Sequence, residues 1–149
     1  MVTLRTPSGT PEILHATCVD YEGAGVLIVG PSGAGKSSLA LQLMAYGARL
    51  VADDKTELRL KDTSVIAACP HTISGLIEAR GVGLLNADVV PETPVRVIID
   101  LTEQEKDRLP HSHSAEIHGV TLPVLLNVVG PHFPAAILQF LKAGRKDTP

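Results

Sequence analysis

The chain has 149 residues, 44% of them hydrophobic, which suits one domain with its own core and leaves no room for a second of ordinary size. Its 13 basic and 16 acidic residues leave a net charge of −3, and no basic run is dense enough to neutralise a phosphate backbone, so nucleic acid is excluded as an expected partner. Cys18 and Cys69 have no paired spacing for a disulfide framework or a zinc site, and no apolar run nears a membrane span, so a soluble protein of the reducing cytoplasm is expected.

Residues 1–11 are polar and broken by proline and glycine, unlike a secretory leader. Residues 13–19 then predict a strand, 21–25 a glycine turn, and 26–29, apolar and β-branched between glycines, a central strand covered on both faces. After a glycine-rich loop, Leu39, Ala40, Leu43 and Met44 recur at helical spacing, with Gly47 where a helix end favours a left-handed residue. Residues 49–52 predict a buried strand ending at the paired acids Asp53 and Asp54. Alternation at 57–60, a polar turn at 62–64 and an apolar stretch at 65–69 predict a hairpin. Residues 74–79 predict a short helix before Gly81-Val82-Gly83, and 95–101 a strand. Thr102 with Glu105 resembles a capping box for a short helix ending before Pro110. The histidine-rich stretch 110–114 predicts a solvated loop, and 117–126 two short strands broken by Gly119 and Pro123. The last element is a helix over 133–143, with Pro134 early and Gly144 after it.

The strongest motif is Gly30-Pro31-Ser32-Gly33-Ala34-Gly35-Lys36-Ser37, a full match to GxxxxGK[ST] between a buried strand and a helix. Its glycines let the backbone curl so that successive N–H groups face phosphate oxygens, aided by the positive end of the following helix. Gly30, Ser32, Gly33, Ala34, Gly35, Lys36, Ser37 and Ser38 are therefore the candidate ligands of a nucleoside triphosphate, with Lys36 reaching the β- and γ-phosphates and the Ser37 hydroxyl on Mg²⁺. The motif fixes the ligand and leaves the acceptor open. Two acidic strand ends compete to assist the metal and the acceptor hydroxyl: Asp100, which reads equally as a turn aspartate, and the Asp53-Asp54 pair, whose neighbouring side chains point to different sides of a strand.

Four separated segments resemble the catalytic domain of bacterial HPr kinase/phosphorylase, in particular its short alphaproteobacterial form. They are Leu14-His15-Ala16, the phosphate loop, Arg49-Leu50-Val51-Ala52-Asp53-Asp54, and Ile77-Glu78-Ala79-Arg80-Gly81-Val82-Gly83-Leu84-Leu85. The resemblance implies an α/β fold of the phosphate-loop type, with a central mixed β-sheet flanked by a few helices, and an ATP- and Mg²⁺-dependent serine kinase acting on the phosphocarrier HPr. By the same resemblance Asp53 takes the serine proton, His15 tunes or shares it, and Arg80 offsets charge on the phosphates. Asp54 and Glu78 then hold Mg²⁺ together with Ser37.

Pro31 stands where longer members carry an acidic residue, and neither their arginine-rich PGRN-like segment after Asp100 nor their N-terminal regulatory domain is found. The expectation is a single catalytic domain over residues 1–149, with the reverse phosphorylase reaction and homo-oligomerisation left open. Other readings of the same loop are a small-molecule kinase of guanylate-kinase type and a nucleotide-binding switch without transfer. His111, His113 and His118 invite a metal-site reading, with a solvated loop as the default.

Overall fold

The computed structural model describes residues 11–70 and 74–146, so nearly all of the leader-like comparison over 1–11 lies outside the described residues. In chain order the elements are β1 (Glu12–Leu14), β2 (Ala16–Tyr21), β3 (Ala24–Val29), α1 (Lys36–Ala45), β4 (Arg49–Ala52), β5 (Thr56–Lys61), β6 (Ser64–Ala68) and β7 (Leu76–Ala79). They continue with β8 (Gly83–Asn86), β9 (Glu92–Gln104), β10 (His113–Ile117), β11 (Val120–Asn127) and α2 (Phe133–Ala143).

Strand β9 organises the sheet. Its first residues pair antiparallel with β6. Farther on, Val97, Ile98, Ile99 and Asp100 run parallel to Val26, Leu27, Ile28 and Val29 of β3. Ile98, Ile99 and Asp100 also run parallel to Val124, Leu125 and Leu126 of β11. The strand order is β1-β5-β6-β9-β3-β2-β4, with β11 and then β10 continuing from β9. Gly25 faces Val95 while Val26 faces Val97, so β9 carries an extra residue at Arg96. Such a bulge bends a strand and re-aims its side chains, which suits one strand to serve neighbours of opposite direction. β5 and β6 form the expected hairpin, turning at Asp62 (φ 56°) and Thr63.

Alternation along the strands sends apolar side chains to two cores. Leu27 and Ile98 join Ala16, Cys18, Val51, Leu58, Ala115, Ile117 and Val124 on one face. Val26, Ile28, Val97 and Ile99 face the other way, against Leu39, Ala40 and Leu43 of α1 and Phe133, Ile137 and Leu138 of α2. Strands buried on both faces read as unbroken apolar runs, which is why 26–29 and 97–99 stand out in the sequence. Burial, and secondarily the charge of Asp20, push the Cys18 thiol far above its ordinary range, so it stays an inert core group. No helix among the described residues is long and apolar enough to cross a membrane.

Two expected helices are replaced by other structure. Residues 74–79 turn at Ser74 and Gly75 and then form β7, paired antiparallel with β8. Ile77 and Ala79 are buried while Leu76 and Glu78 are exposed, a period of two that four residues express too briefly to read in advance. The segment starting at Thr102 continues β9 to Gln104, which lies opposite Asn127. The Thr102 amide donates to Asp100 Oδ1, and the Glu105 carboxylate accepts from the amides of Lys106 and Asp107 rather than capping a helix at Thr102.

Exposed His111 lies in a loop as expected, but the other two histidines depart from a solvated loop. His113 opens β10 with Nε2 3.1 Å from Glu105 Oε1, and His118 is only 2% exposed in the β10–β11 turn. Pro123 sits inside β11 opposite Ser114, just ahead of the residues that pair with β9, where its missing N–H interrupts nothing.

Candidate functional site

Three parallel strands, β3, β9 and β11, bring their carboxyl ends to the same edge, where ligands of open α/β sheets collect. From β3 the chain enters the glycine loop. Gly30 has φ 150°, and a Cβ there would lie 3.2 Å from that of Leu101 and 3.4 Å from that of Ala34. Gly33 and Gly35 adopt φ 84° and 102°, the left-handed region that favours glycine. Gly35 precedes α1 without a side-chain cap, so the first amides of the helix keep their capacity for an anion.

Lys36 is 7% exposed, and its Nζ donates to the carbonyls of Gly30 at 2.8 Å and Pro31 at 3.1 Å. The Ala34 amide donates to the Pro31 carbonyl at 3.1 Å. The ammonium thus lies across its own loop, over the place where a phosphate would compete for it.

The end of β4 supplies the acids. Asp53 Oδ1 accepts from Ser37 Oγ at 2.6 Å and from Thr17 Oγ1 at 3.0 Å, while Oδ2 accepts from the Glu78 amide at 3.0 Å. Asp54 follows at φ 71°, and its carboxylate pairs with His15 Nε2 at 2.7 Å. The adjacent carboxylates take different sides, Asp53 turning to the phosphate loop and Asp54 to His15, but both lie just past β4 in a bend, so the turn at Asp54 and not strand alternation parts them. Asp100 is buried and accepts from the Thr102 amide, so the acid bonded to the Ser37 hydroxyl is Asp53.

These groups surround an open cleft of about 350 Å³, within the usual span for small-molecule sites. Of the residues singled out in the sequence, Ser32, Gly33, Gly35, Lys36, Ser37, Ser38, Asp54, Glu78 and Arg80 line it. Gly30 and Ala34 frame the loop, Asp53 is bonded to three groups at the wall, and His15 joins through Asp54. Thr17 also lines the cleft and was not among the expected residues. The one signal for it is a hydroxyl in the middle of a fully buried strand.

Among the described residues no cluster of three or more His, Cys, Asp or Glu side chains forms a self-sufficient metal cage. A hydroxyl from Ser37 with the carboxylates of Asp54 and Glu78 is instead the sparse oxygen set that suits Mg²⁺, which keeps waters and takes its remaining ligands from phosphates.

The profile described as HPr Serine kinase C-terminal domain matches residues 9–129. The chain is 38% identical over 138 residues to a protein of Geobacillus thermodenitrificans named HPr kinase/phosphorylase, covering 84% of this chain and 45% of that one. It is 36% identical over 141 residues to a protein of the same name from Acidovorax sp., covering 85% and 44%. The chain thus spans less than half the length of these relatives. Among solved structures, the Hpr(Ser) kinase/phosphatase from Coxiella burnetii superposes with a TM-score of 0.75 at 28% identity, covering 88% of each chain. The curled mixed sheet with few helices is therefore a fold already known for such an enzyme.

Proposed function

The chain belongs to the HPr serine kinase C-terminal domain family, and from that membership and the geometry of the cleft we propose that it transfers the γ-phosphoryl group of ATP to a serine of the phosphocarrier HPr. The observation that carries this reading is the meeting, in one cleft, of the phosphate loop with the acids at the end of β4. Loop amides and Lys36 hold the nucleotide phosphates, and Ser37, Asp54 and Glu78 hold Mg²⁺, which neutralises charge on the phosphates when bound. Arg80, exposed at the wall of the cleft, offers a guanidinium to the transferring group. Asp53 orients the acceptor hydroxyl and receives its proton, with the His15–Asp54 pair beside it. On this reading the domain works in the cytoplasm, where HPr and ATP would meet it.

The test is a transfer assay with labelled ATP, Mg²⁺ and purified HPr, run beside Lys36→Ala, Asp53→Asn and HPr lacking its acceptor serine. Phosphoserine should form only with Lys36 and the acceptor serine present. Asp53→Asn should lose about 10²–10⁴-fold in turnover while largely keeping nucleotide affinity. Normal transfer by Asp53→Asn would remove the proton role from that residue. ATP binding with HPr left unlabelled would favour a small-molecule kinase or a switch. Adding inorganic phosphate to phosphorylated HPr tests the reverse reaction that the relatives' name includes.

A further inference from the structure

Thr17 is a hydroxyl in a strand that, apart from Asp20, supplies buried apolar groups. All six residues of β2 are buried, and Ala16, Cys18, Val19 and Tyr21 go to the two cores. A valine would suit such a strand as well as threonine does. A buried hydroxyl is costly unless it is hydrogen-bonded, and here both of its capacities are directed at the acid pair. Oγ1 donates to Asp53 Oδ1 at 3.0 Å and accepts the Asp54 amide at 3.3 Å.

We propose that Thr17 is a positioning residue for phosphoryl transfer, whose hydroxyl sets the plane of the Asp53 carboxylate and anchors the backbone turn that aims Asp54 into the cleft. The inference rests on the kinase reading above. Asp54 sits at φ 71°, a conformation that few non-glycine residues hold, though aspartate does so more readily than most. Two hydrogen bonds hold it here: the Asp54 amide to Thr17 and the Lys55 amide to the Asp53 carbonyl at 2.8 Å.

Asp53 Oδ1 has a second hydroxyl donor in Ser37, but that one stands at the start of α1, on the loop that closes on phosphates. Thr17 comes from a strand laddered on both edges, to β3 and to β4. It is therefore the donor that keeps its place when the loop adjusts. Catalytic geometry is steep in this respect, since about 1 Å of misplacement costs on the order of a hundredfold in rate.

The experiment compares wild type with Thr17→Val, Thr17→Ser and Thr17→Ala in three measurements: HPr phosphorylation kinetics, affinity for a fluorescent ATP analogue with Mg²⁺, and thermal melting. Valine keeps the shape and removes the hydroxyl. Its turnover should fall about 10- to 100-fold while KM for ATP and analogue affinity stay within about twofold, and serine should restore turnover to within about threefold of wild type. Turnover by Thr17→Val within about twofold of wild type would overturn the proposal. So would a serine variant as slow as valine, or nucleotide affinity falling in parallel with turnover. If the valine variant melts too low to assay, serine against alanine isolates the hydroxyl with the methyl absent from both, and a ratio near one overturns the proposal. Failure of wild type itself to label HPr, with analogue binding intact, would instead overturn the kinase reading and this one with it.

Discussion

Glu105 is a side chain whose surroundings set its charge. Partial burial pushes its carboxyl up, but amide hydrogen bonds from Asp107 and Lys106, with the His113 side chain and its charge, more than offset this and hold it below the ordinary value of 4.5. A carboxyl depressed in the native state adds stability that is present above the unfolded value and is lost as pH falls through the native one. Glu105→Gln should therefore unfold at lower urea than wild type near neutrality, and the two midpoints should converge as pH drops below 4.5. A gap that stays constant with pH would assign the effect to packing instead. Much of the cleft was legible at this scale, because each position of the phosphate loop has its own conformational or chemical reason. Thr17 was not legible. Its role exists only because β2 lies beside the end of β4, bringing together residues 36 apart in sequence.

The elements most open to misreading were short or continued. β7 has four residues, too few to separate a period of two from a helical turn, and only its pairing with β8 decides the matter. β9 runs on past its apolar stretch because β11 is there to pair with it, a neighbour that no local pattern announces. The phosphate-loop strand was legible because burial on both faces leaves an unbroken apolar run, and α1 because the GxxxxGK[ST] motif leads into a helix. Where β3 begins, Gly25 lies against β9 so closely that a Cβ would stand 2.7 Å from the Pro94 carbonyl oxygen and from Thr93 Cγ2. Since the first of these is backbone, the strands would have to part. Gly25→Ala should therefore destabilise the fold by about 1–3 kcal/mol in urea unfolding. Gly25 stands at the end of β3 remote from the phosphate loop, so turnover below the melt should be unchanged; an unchanged unfolding midpoint would contradict the close approach.

For the molecule as a whole, both cores are built on the same strands, with β3 and β9 contributing to each. We propose that residues 11–146 unfold as one unit, since neither core keeps its floor when the other loses its own. Tyr21 is buried in the helix-side core and Tyr46 is exposed, so in a Tyr46→Phe background tyrosine fluorescence reports that core while far-UV circular dichroism reports the secondary structure. The two urea curves should coincide, and separate midpoints would divide the molecule into independent parts. The mixed sheet flanked by helices followed from the family resemblance, and the strand, loop, helix order around the phosphate loop agreed with it. The share of the chain given to strands was not legible, because much of the pairing is with distant partners such as β3 with β9.

The exposed turn at Asp62 and Thr63 divides the cleft in sequence. His15, Thr17, the phosphate loop and both aspartates precede it, whereas Glu78 and Arg80 follow. Two separately expressed fragments parted there would each carry an incomplete wall of the cleft. Each would also present an open ladder to the other, β5 to β6 and β3 to β9. The architecture thus lends itself to a split reporter, in which the proposed phosphoryl transfer registers that two fused proteins have come within reach of one another.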